Sequence, residues 1–351
     1  MGKYDNLTRH VAKAVETRPF KERFFEPFFP MTDIHNQELV EFDDKAYKNG
    51  IAPFVNPLKD GKPVEREGFN NNILKLPTMK PSKLLTSKDL DKKPFGGTVY
   101  DATAKNAIAR QLVTGAVDDN ESRLDVRLEV MRTDALFNNS LTIVGEGEDR
   151  VVTFGRAAAN TVDLGAGDYW DEDNTLLDGD VRSFIALLAA NGKSATHMVG
   201  RSETMSVIVG IVKGLTDYRR IENGALRFEN MLSVDGSIYE GNYLGIELWS
   251  YDGVYIDADN ATQKSVPAKK VVVLSAQNEN EMSYGYASDI VLELNLAESF
   301  DVSARNVITK LKAQSSAVEI ESVLTAAPLL KDHHCLKIRI QHLLQPYWYK
   351  E

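Results

Sequence analysis

Residues 50–97 constrain the fold more than any other stretch. They carry Pro53, Pro57, Pro63, Pro77, Pro81 and Pro94, several glycines and many lysines, with sparse apolar residues and no helical period. Proline lacks a backbone donor and breaks a helix interior, so the stretch stays extended. A long extended region inside a compact domain is uncommon, and is usually functional or disordered. The Asp-Gly step in "KDGK" (Lys59 to Lys62) predicts a tight turn, and with it a long basic hairpin. Such a hairpin has too little apolar surface to bury itself and needs a partner.

The N-terminal stretch reads as a short amphipathic helix. Leu7, Val11 and Val15 recur at four-residue spacing and Pro19 stops it. "PFKERFFEPFFP" (Pro19 to Pro30) follows as an aromatic arm. Two readings stand for it: the phenylalanines pin into the chain's own core, or the arm docks on a neighbouring chain. Residues 119–138 predict a strong helix, with Leu124, Leu128, Met131 and Ala135 as its apolar stripe and Val126, Val130 and Phe137 widening it. On that helix Glu121, Asp125 and Glu129 form an acidic row at four-residue spacing, beside Arg123 and Arg127. Like charges at that spacing disfavour an isolated helix by about 0.2–0.5 kcal/mol per pair. The row is either a solvated face or a surface that meets lysines from elsewhere, such as the basic hairpin.

"LTIVGEGEDRVVTFG" (Leu141 to Gly155) predicts a β-hairpin. Val181 to Asn191 predicts a helix closed by Gly192, and Ser202 to Gly214 another with Ser202 as its N-cap. Residues 231–295 are strand-rich; "AKKVVVLS" (Ala268 to Ser275) reads as a buried strand, and "VEIESVLT" and "CLKIRIQ" as two more near the end. This order is α+β, without the βαβα alternation of a doubly wound sheet.

Chemistry-bearing motifs are few. There is no Walker A sequence, no Gly-x-Gly-x-x-Gly opening a helix, no His-Glu-x-x-His and no Gly-x-Ser-x-Gly. One cysteine, Cys335, builds neither an internal disulfide nor a typical zinc site, and fits a reducing cytoplasm. His333–His334 reads as a turn pair. "GDYWDEDNTLLDGD" (Gly167 to Asp180) gathers six acids around Trp170. Read as a calcium loop from Asp171 it fails at the glycine and at the final bidentate acid, and so does the stretch from Asp257. Paired carboxylates for glycoside hydrolysis remain a rival reading. The simpler one makes Asp180, or Asp178, the N-cap of the helix that follows, with Trp170 anchoring the loop to the core. The net charge of −10 argues against a basic nucleic-acid-binding surface. The first residues show no signal-peptide core.

Several segments, in order, resemble the lambda-type major capsid proteins of tailed bacteriophages, the phage capsid protein E family. Phe28 to Pro81 is similar to that family's aromatic arm, strand and extension loop, with Pro57, Gly61 and Pro81 carrying the match. Phe154, Gly155, Trp170, Asp178 and Asp180 fall as in that family, as do Asp252 to Ser275 with Pro267 before a hydrophobic strand. Val323 to Ile340 is similar to its closing Ser-Ala-Pro strand pair, although Ala326-Ala327-Pro328 here replaces the serine. The resemblance spans nearly the whole chain. It implies the Hong Kong phage-type (Johnson) fold, an α+β fold. Residues 1–35 would be the N-terminal arm, 50–97 the extension loop, and 98–179 a peripheral domain with a spine helix at about 119–138. Residues 180–310 would form the axial domain, and 311–351 strands returning to both domains.

The function implied is that of a major capsid protein, assembling as hexamers and pentamers into an icosahedral head around double-stranded DNA. The resemblance implies a portal, a scaffolding protein and a decoration protein as partners, with no cofactor, metal, catalysis or membrane. Packaged DNA would be enclosed without sequence-specific binding, and the negative charge suits a shell that does not grip it. The chain would be made and assembled in the host cytoplasm and reside in the virion. Lys59, Lys62 and Arg66 of one copy are expected to contact Glu121, Asp125 and Glu129 of the next. The rivals are another virion protein, of tail or decoration type, and a carbohydrate-active or metal-dependent hydrolase using the 168–180 acids.

Overall fold

The computed structural model describes residues 23–35, 39–45, 69–90, 102–145, 148–156, 158–164, 170, 176–190, 192–215, 231–232, 236–257, 259–277, 280–285, 300–302, 307–313, 317–331 and 336–339. In chain order these form β1 (Met31–His35), β2 (Leu39–Lys45), β3 (Phe69–Lys75), β4 (Thr78–Met79), β5 (Ser82–Thr86) and a helical turn α1 (Ser87–Leu90). Next come the long helix α2 (Ala102–Asn138), β6 (Ser140–Gly145), β7 (Glu148–Thr153), β8 (Thr161–Asp163), α3 (Leu176–Ala190), β9 (His197–Gly200) and α4 (Ser202–Leu215). The remainder is β10 (Met231–Leu232), β11 (Ser237–Tyr243), β12 (Ile246–Tyr251), β13 (Val254–Ile256), β14 (Thr262–Lys264), β15 (Lys270–Leu274) and β16 (Glu281–Gly285). It closes with β17 (Phe300–Val302), β18 (Ile308–Ala313), β19 (Ala317–Leu329) and β20 (Leu336–Arg339).

Two seven-stranded sheets organise these elements. The first runs β1-β16-β19-β18-β17, with β4 and β5 also on β19. β19 is its axis, and Pro328 falls where β16 pairs on one side and no described strand pairs on the other, the setting in which a strand tolerates proline. Helix α2 lies across this sheet. Val113, Ala116 and Val117 pack on Leu311 and Ile320, and Asn120 donates to the Ile320 carbonyl at 3.0 Å. Lys83 and Asp119 pair across the same contact. On the opposite face Lys310 is buried against Glu321 at 3.3 Å, and Lys312 reaches the same carboxylate.

The second sheet runs β10-β11-β12-β9-β15-β20-β8. One face carries α3 and α4: Leu177, Val181, Phe184 and Leu188 of α3 meet Met198, Leu248, Val271 and Val273. The other face, with Val199, Tyr251, Val272 and Leu274, joins the core built by α2, the first sheet and the arm. Burial on both faces explains the unbroken apolar run in "KVVVL", since a strand covered on both sides has no polar face to alternate with.

Helix α2 begins at Ala102, well before the expected 119. Gly115 and the β-branched Ile108, Val113, Thr114 and Val117 weaken local helix propensity there, and packing on the first sheet overrides it. Helix α3 starts at Leu176, so Asp178 and Asp180 lie within its first turns and not at the N-cap position. Gly192, at φ 74°, closes it: its N–H donates to Ala189 O at 2.9 Å and that of Lys193 to Leu188 O at 3.0 Å, the paired bonds of a glycine C-cap.

β2 and β3 pair from Leu39↔Lys75 to Lys45↔Phe69. β4 and β5 are already sheet strands on β19. β8 belongs to the second sheet, β16, β17 and β18 belong to the first, and β20 pairs with β15 in the second.

Candidate interaction surfaces

The arm is anchored by its aromatic residues. Pro27 sits in a tight 3₁₀ turn at Glu26–Phe28, which turns Phe25, Phe28 and Phe29 inward together. Phe25 meets Phe137 of α2 edge-on at 6.1 Å and Tyr251 of β12 edge-on at 5.4 Å. Phe24 stacks on Tyr251 at 5.3 Å and tilts against Trp249 at 5.4 Å. Such pairs add about 0.5–1.5 kcal/mol each beyond area burial. The Phe25 N–H donates to Glu129 Oε1 at 3.0 Å, and Arg132 pairs with Glu129 Oε2 at 3.2 Å. Of the two readings of the arm, the described part takes the first: its phenylalanines enter the chain's own core.

This joint corrects the expected acidic row. Glu121, Asp125 and Glu129 are only 9%, 8% and 2% exposed. They flank the buried stripe of α2, whose C-terminal half is covered almost all round because the arm and both sheets converge on it. Glu129 is engaged within its own chain. Lys59, Lys62 and Arg66 lie outside the described residues, as do the expected turn at 59–62 and His333–His334.

A second set of contacts holds the start of α3. Trp170 is 1% exposed and its indole N–H donates to Asp180 Oδ2 at 2.7 Å. Asp178 accepts from Tyr243 Oη at 2.6 Å and from Arg182 Nε at 2.8 Å. Both carboxylates therefore tie the helix to its surroundings. Among the described residues, no group of three or more His, Cys, Asp or Glu side chains is arranged to hold a metal ion.

Sequence reasoning missed His197 and Gly253. His197 lies on β9 with its ring edge-on to Phe28 at 5.0 Å and its Nε2 3.4 Å from Glu247. A Cβ on Gly253 would stand 2.5 Å from the Tyr251 hydroxyl, so only glycine leaves room for that ring. His197 carries no local signal, since it is defined by what Phe28 and Glu247 bring to it, and Gly253 is fixed by the inward turn of the nearby Tyr251 ring.

Three two-stranded ribbons stand apart from the sheets: β2–β3, β6–β7 and β13–β14. The first two hide one face and show the other, while β13–β14 is exposed along β14 and at Val254 and Ile256. Leu39 and Ile73, Val144 and Val151, and Val254 and Ile256 are all exposed on the outer faces. The inner faces carry Val40 and Leu74, and Leu141 with Val152, packed on the core. The expected hairpin at 141–155 is β6–β7, in register from Ser140↔Thr153 to Gly145↔Glu148. The Asp252-Gly253 step joins β12 of the second sheet to β13, which pairs with β14.

Comparison with known proteins gives a consistent result. The family model described as "Phage major capsid protein E" matches residues 7–330. The major capsid protein of Enterobacteria phage P21 is 22% identical over 156 residues, covering 44% of this chain and 46% of that protein. A P21 prophage-derived major head protein of Escherichia coli O6:H1 (strain CFT073) matches to the same extent. The chain thus spans about half the length of the curated relatives it matches. The crystal structure described as that of a prophage capsid protein from E. coli CFT073 superposes with a TM-score of 0.66 at 15% identity, over 96% of this chain and 98% of that one. At that identity the likeness is one of fold.

Proposed function

Because the chain belongs to the phage major capsid protein E family, we propose that it is the shell-building subunit of a tailed-phage head, working through the Hong Kong phage-type (Johnson) fold. It self-associates into hexamers and pentamers that close into an icosahedral shell around double-stranded DNA. Beyond family membership, one observation carries this reading. The exposed large apolar side chains collect on the outer faces of three ribbons, with only Met31 and Leu84 elsewhere among the described residues. Apolar exposure gathered on projecting elements marks a surface made for contact, and a shell subunit needs several such surfaces at once.

On this reading the first sheet with α2 is the peripheral domain, the second sheet with α3 and α4 the axial domain, and β2–β3 the base of the extension loop. Lys59, Lys62 and Arg66 contact a neighbouring copy. Glu129 is engaged within its own chain, and Glu121 and Asp125 offer little surface. Charge reversal at the three cations should lower shell yield from a folded subunit, whereas reversal in the acidic row should destabilise the subunit itself. Portal, scaffolding and decoration proteins are the partners proposed, and the DNA is enclosed without sequence-specific contact. The chain acts without catalysis, in the virion, after assembly in the host cytoplasm. No described helix is long and apolar enough to cross a membrane.

Light scattering with negative-stain microscopy of the purified chain tests the proposal. Shells, or hexamers and pentamers, are expected. Rods or rings would point to a tail component, and a small discrete oligomer with bound metal or hydrolytic activity to an enzyme.

A further inference from the structure

The arm meets the second sheet at an ionisable side chain. Phe28 presses edge-on to the His197 ring, and that ring bridges two hydrogen-bond systems. Nδ1 is 2.7 Å from Thr196 Oγ1, which also accepts the Ala276 N–H at 2.8 Å and lies 3.2 Å from Leu274 O. Nε2 faces Glu247 Oε2 at 3.4 Å, the same oxygen that accepts the Trp249 indole N–H at 2.9 Å.

We propose that His197 is a proton-operated latch on the N-terminal arm, with the charged imidazole loosening the arm from the second sheet. Thr196 lets the ring titrate in place. The neutral ring accepts the Thr196 proton at Nδ1 and directs Nε2–H at Glu247. The charged ring must donate from both nitrogens, so Thr196 turns its O–H to the Leu274 carbonyl. Both states keep their hydrogen bonds, and what changes is a positive charge beneath Phe28.

The elements around the ring supply one ionised group among the described residues. β12 brings Glu247, the register partner of His197. β15 brings the apolar Leu274. The arm brings Phe28. Burial pushes the His197 pKa below its ordinary value, and Glu247 opposes this in part. Removing Phe28 would rehydrate the ring while leaving Glu247 beside it, so the undocked state binds a proton more readily. Docking is therefore at full strength above the ordinary histidine range, and is lost as pH falls through the lowered pKa. Each unit between docked and undocked pKa is about a tenfold change in docking. Glu129, paired with Arg132, touches the arm elsewhere, at Phe25, and its contribution is separated by variants at His197.

Hydrogen–deuterium exchange of the whole chain tests this, with rates corrected for intrinsic exchange at about pH 7.5 and about pH 5.5, on either side of the ordinary histidine pKa. The reporter is segment 23–30, which contains the Phe25 amide bonded to Glu129; the control is β19. Protection of 23–30 should fall several-fold at the lower pH in the wild type and stay level in His197→Gln, with β19 protected throughout. In Glu247→Gln the loss should move to lower pH. A wild type without pH dependence, an unchanged dependence in His197→Gln, or equal loss in β19 would overturn the latch. Should His197→Gln not fold, Glu247→Gln decides, and an unmoved profile sinks the idea. The result does not depend on whether the chain builds shells.

Discussion

β15 and the β13–β14 ribbon lie a few residues apart and follow opposite rules. β15 has a helix layer on one face and the arm and α2 on the other. β13–β14 shows Val254 and Ile256 to solvent on its outer face. In the interior strand each apolar residue contributes to the stability of this chain. On the ribbon the same residue types contribute little to it, and under the proposed function their value lies in what another copy does with them.

The largest expected effect tests the interior half of that contrast. Glu129→Ala leaves Arg132 buried without its partner and removes the acceptor of the Phe25 N–H, so urea unfolding of the subunit should show a loss of about 3–5 kcal/mol. Leu248→Ala, between the second sheet and its helices, should cost about 2–5 kcal/mol by the same measurement. Gly253→Ala drives a methyl into the Tyr251 ring and should cost about 1–3 kcal/mol, with the near-ultraviolet circular dichroism of the aromatic joint changing in parallel. An effect of similar size follows from Trp170→Phe, which leaves the buried start of α3 apolar but deprives Asp180 of its donor; about 1–3 kcal/mol is expected. The smallest sharpens the comparison most. Ile256→Thr or Val144→Thr should leave unfolding within about 0.5 kcal/mol of the wild type while lowering the yield of assembled particles. A ribbon variant that unfolds the subunit, or that assembles normally, would erase the distinction between the two regions.

Legibility in the sequence followed the same division. Periodicity revealed α3, α4 and the stripe on α2, and alternation or dense β-branching revealed β6–β7, β15 and β19, because those elements bury a regular face. The first half of α2 was hidden by Gly115 and its β-branched neighbours, whose poor propensity is outweighed by packing on β19. The acidic row looked solvated because Glu121, Asp125 and Glu129 have the spacing of an exposed face. Nothing near Glu129 announces that Phe25, far upstream, will supply its N–H donor. The aromatic arm was conspicuous, yet composition could not say which core it enters. Asp180 read as a cap because the apolar period becomes clear at Val181, while Leu176 and Leu177 had already begun the helix.

The alternation Val271, Val272, Val273, Leu274 has a practical consequence for anyone dissecting this molecule. Because successive residues of one strand serve two different cores, the second sheet is a shared wall and not the edge of a separable module. A fragment cut at 161 and 274 would carry its helices but lose the cover over Val199, Tyr251, Val272 and Leu274. Expressed alone, it should be recovered as aggregate, and cargo grafts or affinity tags belong at the exposed Asp259 to Ala261 between β13 and β14.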